Sequence, residues 1–390
     1  MSRAVTGDHV LFNECITMFR PENIEIKEDG EQLNGYLLLD FRLNETLNFR
    51  YFSIEPSIEV TLPGAYSAFV APVKLPKWCN WSHNAHLFTI ALAAIFSFVS
   101  GRPVKAPRDG LTNREQLTGD SLGELAVQFP VITAGPGAHD TRISKKSSDD
   151  LYKRLQEITE VLFSVSYKQY ITAMQSIRLV HLAHLNKRDD FGLAYYLLVS
   201  SMESLAGKAI KSKTIANKHP NEDVWKKVAE NDADFADLFH EYIAEKGKNK
   251  LIGKRFEKFI LKYCPPNQWN DLQHPQENSV SYIEELTGNR QHEWITKKQW
   301  YEIYPEDLTD DEISKLLKDL YVHRSNFTHR GENPPHQHPN SHNRFFDGDT
   351  VIRNENGDLK ILEIILPNFQ LISFISNRSI TNYLKEKVIK

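Results

Sequence analysis

The stretch Thr309-Asp-Asp-Glu-Ile-Ser-Lys-Leu-Leu-Lys-Asp-Leu-Tyr-Val-His-Arg-Ser-Asn-Phe-Thr-His-Arg-Gly331 reads as one amphipathic helix with both ends marked. Thr309 and Glu312 have capping-box spacing, and Asp310 and Asp311 suit the positive end of a helix dipole. Ile313, Leu316, Leu317, Leu320 and Phe327 recur at helical spacing and predict a single apolar stripe. Gly331 offers the C-terminal stop, with Pro334 and Pro335 just beyond. At about 100° per residue, Arg324 falls inside the stripe, near Leu317 and Leu320. A charge there needs a partner, or it lines a cleft or an interface.

Four residues separate Arg324 from His329. A guanidinium holds phosphate through a planar fork of donors, and an imidazole moves a proton near neutral pH. Those are the two groups that RNA cleavage needs in the absence of a metal. In such a reaction the 2′-hydroxyl would be the nucleophile, His329 could serve as general base or acid, and Arg324 could stabilise charge on the phosphorane. Ser325 and Asn326 add polar groups beside them. His329 lies about 140° round from Arg324, so the pair converges only if the Arg swings, the last turn distorts, or a second subunit takes part.

Outward from this helix the pattern stays helical back to about residue 150. Leu151, Leu155, Ile158, Val161, Leu162 and Val165 make one stripe, with Asp149 or Asp150 as its cap. A second helix covers 171–185. Asp189-Asp190 cap a third over about 191–210, apolar on nearly every face and therefore central in a bundle. Glu203 is the one acid in its interior. It can orient Arg324 or His329, or pair with any Arg of the bundle. Further helices fall near 222–246 and 251–262. Asn356-Gly357 is a hairpin signal, and a last helix covers about 368–387.

Residues 1–80 read as strand-rich. Gly35-Tyr-Leu-Leu-Leu-Asp-Phe-Arg-Leu43 is a short apolar run, Ile58-Glu-Val-Thr-Leu62 alternates, and Asp29-Gly30 signals a hairpin after Ile24-Glu-Ile-Lys27. A helix follows over 84–100. The polar run Ser144-Lys-Lys-Ser-Ser-Asp-Asp150 marks a boundary. The expected fold class is therefore α+β: a strand-rich N-terminal domain over 1–148 followed by an all-α helical bundle over 149–390.

The combination of Phe191-Gly-Leu-Ala-Tyr-Tyr-Leu-Leu-Val-Ser-Ser-Met-Glu-Ser-Leu205 with Leu320-Tyr-Val-His-Arg-Ser-Asn-Phe-Thr-His-Arg-Gly331 resembles the HEPN superfamily, most of all its Apea-like branch. The resemblance covers about 150–330 and is sharp in these two stretches. It implies a metal-independent endoribonuclease, built across a dimer of helical bundles, with Arg324 and His329 as the catalytic pair. Its products would carry 2′,3′-cyclic phosphate and 5′-hydroxyl ends. The helper position after the Arg is held here by Ser325, with Asn326 next, and Glu203 is a further site candidate. Some members are non-catalytic, which leaves a dimerising RNA- or protein-binding module as the alternative. The resemblance also implies a role as a defence or toxin effector, with residues 1–148 sensing a trigger or restraining activity.

Composition sets further bounds. The chain has 390 residues, 41% hydrophobic and 25% charged, with a net charge of −4. No global basic surface is present, so contact with an RNA substrate must be local. Cys15, Cys79 and Cys264 are far apart and odd in number, which fits a reducing cytoplasm and argues against a disulfide framework or a Cys-based zinc site. The N-terminus shows no apolar signal core, and the apolar stretch 87–99 is too short to span a bilayer. No membrane or DNA partner and no cofactor or metal are expected.

Three other segments carry some chemistry. Five His fall between positions 323 and 342, including His336, His338 and His342, the basis of a metallohydrolase alternative; a polar loop accounts for them better. His83 and His86 follow Trp78 and Trp81 at a strand-to-helix junction, where aromatic packing outweighs a metal pair. Lys246-Gly-Lys-Asn-Lys-Leu-Ile-Gly-Lys-Arg255 is the best local candidate for RNA backbone contact.

Overall fold

The computed structural model describes residues 8–23, 32–62, 66–79, 82–108, 119–133, 140–215, 219–248, 251–289, 292–333, 343–355 and 358–388. The hairpin signal at Asp29-Gly30, with Ile24 to Lys27 before it, lies outside them. So do Trp81, the three His at 336, 338 and 342, and the turn residues Asn356 and Gly357.

The first element is a helix, α1 (Asp8–Phe19), where the sequence pattern suggested strands. Leu11, Phe12, Cys15, Ile16 and Phe19 are all buried along one face of it, at helical spacing. Five strands follow: β1 (Asn34–Leu39), β2 (Leu47–Asn48), β3 (Ser53–Ile54), β4 (Ile58–Leu62) and β5 (Tyr66–Lys74). All pairings are antiparallel, and β5 is the hub. It pairs with β1 from Asn34↔Lys74 to Leu39↔Phe69, and with β3 and β4 on its other edge. Helix α2 (Ser82–Ser100) and helix α3 (Gly119–Gln128) complete this part.

The apolar run at 35–39 has a simple cause. Leu37 and Leu39 enter the main core with α1 and α2, while Tyr36 and Leu38 join a small second core with Leu122, Leu125 and Ala126 of α3. A strand covered on both faces has no polar face to show, so alternation disappears. The apolar stretch within α2 is a buried helix, and no helix among the described residues is long and apolar enough to cross a membrane.

The remainder is helical apart from one hairpin: α4 (Lys145–Ser164), α5 (Tyr167–Asn186), α6 (Phe191–Ala209), α7 (Ser212–Ile215), α8 (Glu222–Ala229), α9 (Ala233–Lys248), α10 (Ile252–Tyr263), α11 (Glu277–Thr287), α12 (Glu293–Thr296) and α13 (Asp310–Arg330). The hairpin β6 (Phe346–Glu355) and β7 (Asp358–Pro367) then leads into α14 (Phe369–Glu386). The chain is thus α+β, but the part expected to be all-α carries, among the described residues, this two-stranded sheet, which the Asn356-Gly357 signal had marked.

Several helix caps follow the sequence. Asp190 accepts from the Leu193 N–H, Asn368 from the Leu371 N–H, and Thr309 and Glu312 close a capping box. Helix α4 departs from the reading: its cap is Ser144, which accepts from the Ser147 N–H, so the polar run at 144–150 is a first helical turn. Polar residues suit that turn because its free N–H groups need acceptors.

Helix α6 packs against α5, α10, α13 and α14, as its all-round apolarity requires. The main core is continuous from Leu11 of α1 to Leu384 of α14, so sheet and bundle share one interior across position 148. Cys15, Cys79 and Cys264 are free and buried within it, and burial pushes the Cys15 and Cys264 thiols up to about 12.

Two His on α5 are buried in the same interior. His181 Nε2 lies 2.7 Å from the Val104 carbonyl, and His184 Nε2 lies 3.2 Å from the Ser373 hydroxyl. Burial lowers their pKa values from 6.5 to about 4 and about 3. The unfolded chain therefore binds protons that the folded chain refuses, so stability is full above pH 6.5 and falls as pH drops towards 4 and 3. Urea denaturation should show the fold losing up to about 2 kcal/mol per His between pH 6.5 and pH 5. An unfolding free energy that is flat over that interval would contradict this.

Candidate active site

The site is built from two helices that face each other. On α6, Tyr196 and Glu203 are seven residues apart and so share a face. On α13, Ile313, Leu316, Leu317 and Leu320 fill the core, and Tyr321, Arg324 and Phe327 continue at the edge of that stripe, half-buried. The placement of Arg324 within the stripe matches the helical spacing. Phe327 does not enter the core; it stacks on Tyr196 with ring centroids 5.0 Å apart.

Arg324 Nη2 lies 2.7 Å from Glu203 Oε2, and the two side chains are only 18% and 16% exposed. The guanidinium also sits over two rings, 5.5 Å from the centre of Tyr196 and 6.0 Å from that of Tyr321. The Tyr321 hydroxyl donates to Glu203 Oε1 at 3.5 Å. Burial, and then the adjacent Glu203 carboxylate, push the Tyr321 phenol above its ordinary pKa, which keeps it a donor. The ion pair is oblique: neither Glu203 Oε2 nor Arg324 Nε completes a hydrogen bond. Arg324 is therefore held in place with one buried donor left unsatisfied.

Two glycines allow this approach. A Cβ on Gly253, at the start of α10, would come within 3.2 Å of the Tyr321 ring. A Cβ on Gly192, in the first turn of α6, would collide with the Asn333 amide just beyond α13. Gly331 ends α13 in the left-handed conformation at φ 68°.

The remaining site candidates are less gathered. His329 is exposed on the last turn of α13, and no hydrogen bond or ion pair among the described residues joins it to Arg324. Ser325 and Asn326 are half-buried beside Arg324, without a described polar contact to it. The structure thus brings together Glu203 and Arg324, and leaves His329 apart within one chain. Arg324 finds its counter-charge in its own chain, so its burial alone does not call for a second subunit.

Tyr196 and Tyr321, which cradle the guanidinium, were not among the residues that the sequence singled out. The heptad spacing of Tyr196 from Glu203 was the available signal. Arg255 belongs to the basic run, yet it turns inward, donating to the Ile210 carbonyl at 2.7 Å and to the Gly207 carbonyl. It closes the C-terminal end of α6 and is not free for RNA. His86 is buried. No group of three His, Cys, Asp or Glu among the described residues could hold a metal ion.

A Ser-His-Glu relay also exists. Ser281 Oγ is 3.3 Å from His292 Nε2, and His292 Nδ1 is 2.5 Å from Glu284 Oε2. Ser281 is only 4% exposed, and the second Glu284 oxygen accepts the His292 backbone N–H at 2.8 Å. This arrangement ties the segment after α11 back to the helix, with the Ser281 side chain closed off from solvent.

Comparison of the chain with family models, curated proteins and solved structures found no match. The site is therefore read from its own geometry.

The Glu203–Arg324 pair yields a stability prediction. Removing one partner leaves a half-buried charge without its counter-ion. A double-mutant cycle with Glu203→Ala and Arg324→Ala in urea should give a coupling of about 1–2 kcal/mol, below that of a fully buried pair because water reaches its edge. A coupling near zero would mean that the contact contributes nothing.

Proposed function

We propose that this chain is a metal-independent endoribonuclease of the HEPN type. The observation that carries the reading is Arg324: a cation fixed in a half-buried cradle of Glu203, Tyr196 and Tyr321, with an unsatisfied Nε–H, one turn before an exposed His329 on the same helix. Glu203 engages one nitrogen of the guanidinium, and a phosphate would be met by the other donors of the fork. His329 accepts the 2′-hydroxyl proton, the 2′-oxygen bonds to phosphorus, and the P–O5′ bond breaks. A proton delivered to the 5′-oxygen completes the step. The products are a 2′,3′-cyclic phosphate and a 5′-hydroxyl. Arg324 stabilises the negative charge that builds on the non-bridging oxygens.

The separation of His329 from Arg324 within one chain supports a homodimer in which each site takes its Arg from one copy and its His from the other. The reading places the protein in the cytoplasm as a defence or toxin effector, with the N-terminal part in control. A second reading, a non-catalytic HEPN-type module that dimerises and binds RNA or protein, is favoured by the closed Glu203–Arg324 pair. In that case the Arg serves the fold.

Labelled RNA incubated with the purified chain separates the two. The nuclease reading expects cleavage in excess EDTA, cyclic-phosphate ends, and intact single-stranded DNA. Arg324→Ala and His329→Ala should each lower the rate by about 10²–10⁴-fold with unchanged circular dichroism. Mixing the two variants should restore part of the activity if the site is shared. Cleavage that survives in either folded variant, or that stops with EDTA, would overturn the reading.

A further inference from the structure

A cavity of about 410 Å³ opens where the sheet-bearing part of the chain meets the bundle. Its walls come from the turn after α2, the first turns of α4 and α14, the C-terminal end of α5, and residues 271–278. That volume is typical of a site for a small organic molecule, for which the range is roughly 300–1,000 Å³. It lies outside the Glu203–Arg324 site, and none of the residues of that site lines it.

Four cationic side chains border the cavity: Arg102, Arg154, Lys187 and Arg378. Three of them are already neutralised. Arg102 pairs with Asp40 at 2.9 Å, Arg154 with Asp150 at 2.8 Å, and Arg378 with Asp271 at 3.1 Å. Lys187 differs. It is only 9% exposed, and no ion pair or hydrogen bond among the described residues engages its ammonium. Its one recorded partner is the face of Phe369, 4.7 Å from Nζ. The C-terminal end of α5, where Lys187 sits as the cap, adds a weak favourable dipole. A ring and a helix end attract a cation, but neither replaces a counter-ion for a charge withdrawn from water.

The rest of the wall suits the body of an organic molecule. Phe369 and Phe374 supply aromatic surface, and Gln370 supplies an amide. His184 contributes a ring that burial keeps neutral, so it adds no second charge.

We propose that this cavity binds a small organic anion with one phosphate or carboxylate group, which pairs with Lys187 while its apolar body packs on Phe369 and Phe374. Asp140, the acid of the lining that forms no ion pair among the described residues, accepts from the Ser279 hydroxyl at 2.6 Å and does not engage Lys187, so the ammonium is the cation left for a ligand to meet. A polyphosphate would bring several negative charges to a site with one free positive charge, and the excess would have to be desolvated without compensation. Burial lowers the Lys187 pKa from 10.5 to about 8, the direction expected of an ammonium that lacks an anion. This inference does not depend on the nuclease reading.

The test uses the intact chain and three probes: benzoate, phenyl phosphate and the neutral benzamide. Limited acetylation at pH 8, read by peptide mass spectrometry, should find Lys187 reactive. Benzoate or phenyl phosphate should slow its modification by about tenfold or more, the amount that a charge-assisted contact supplies. Benzamide should not. Whichever anion protects better identifies the head group as carboxylate or phosphate. Calorimetric titration of Lys187→Met should show the anion affinity reduced by at least about tenfold, with Lys187→Arg retaining most of it. The acetylation arm uses unmutated protein, so a variant that fails to fold does not protect the idea. Failure of both anions to shield Lys187 up to millimolar concentration overturns it. Equal shielding by benzamide also overturns it, because the charge would then play no part.

Discussion

A carboxylate that leaves water inside a helical bundle must be met by a cation or a set of donors, because desolvating an isolated ion costs several kcal/mol. Helix α6 carries one such group, Glu203, and its answer is Arg324 on α13. Other polar groups of α6 are answered by other elements. The Tyr195 hydroxyl donates to the Pro367 carbonyl at the end of β7, Ser201 meets Ser376 of α14 at 2.8 Å, and Ser204 meets Ser176 of α5 at 2.6 Å. Four neighbours of α6 are thereby held in register by directional contacts laid over a non-directional apolar core. Such contacts add little net stability, yet each would leave a buried group unsatisfied if the helices slid.

This division explains what the sequence could disclose. Features decided within a few residues were legible. The Thr309–Glu312 box, the Asp190 cap and the hairpin around 356–357 depend on local geometry alone. The central position of α6 was legible too, since apolarity on every face leaves no solvent side. Helix α1 was missed although Leu11, Phe12, Cys15, Ile16 and Phe19 carry helical spacing, because the strand signals at 35–43 and 58–62 coloured the whole segment. The start of α4 was set late because its capping turn is polar and charged, the same composition that marks a linker.

The candidate site divides in the same way. Arg324 at the edge of an apolar stripe follows from periodicity, whereas its partner does not. Glu203 lies far away in the chain, and several Arg residues of the bundle could have met it. The cradle of Tyr196 and Tyr321 is likewise a product of how α6 and α13 cross. His329 shows the limit from the other side. It sits on the last turn of α13, exposed, while Arg324 and Phe327 of the same stretch pack against α6. On the proposed nuclease reading, an imidazole in that position would act only if something outside its own chain, a second copy or an RNA, brought the phosphate to it.

The two cations that matter here obey one rule with opposite outcomes. Arg324 and Lys187 are both withdrawn from water, the first over two aromatic rings and the second over one. The first is met by an acid of the same chain, which fixes its geometry, and a phosphate brought to it would share it with Glu203. In the proposed nuclease, such sharing would favour a group whose charge peaks during the reaction over one bound at rest, which is the property expected of transition-state stabilisation. The second has been left without an acid beside a cavity large enough for a small molecule. A folded chain keeps an uncompensated buried ammonium at a cost in stability, and an anion that removes the cost binds with that energy in its favour.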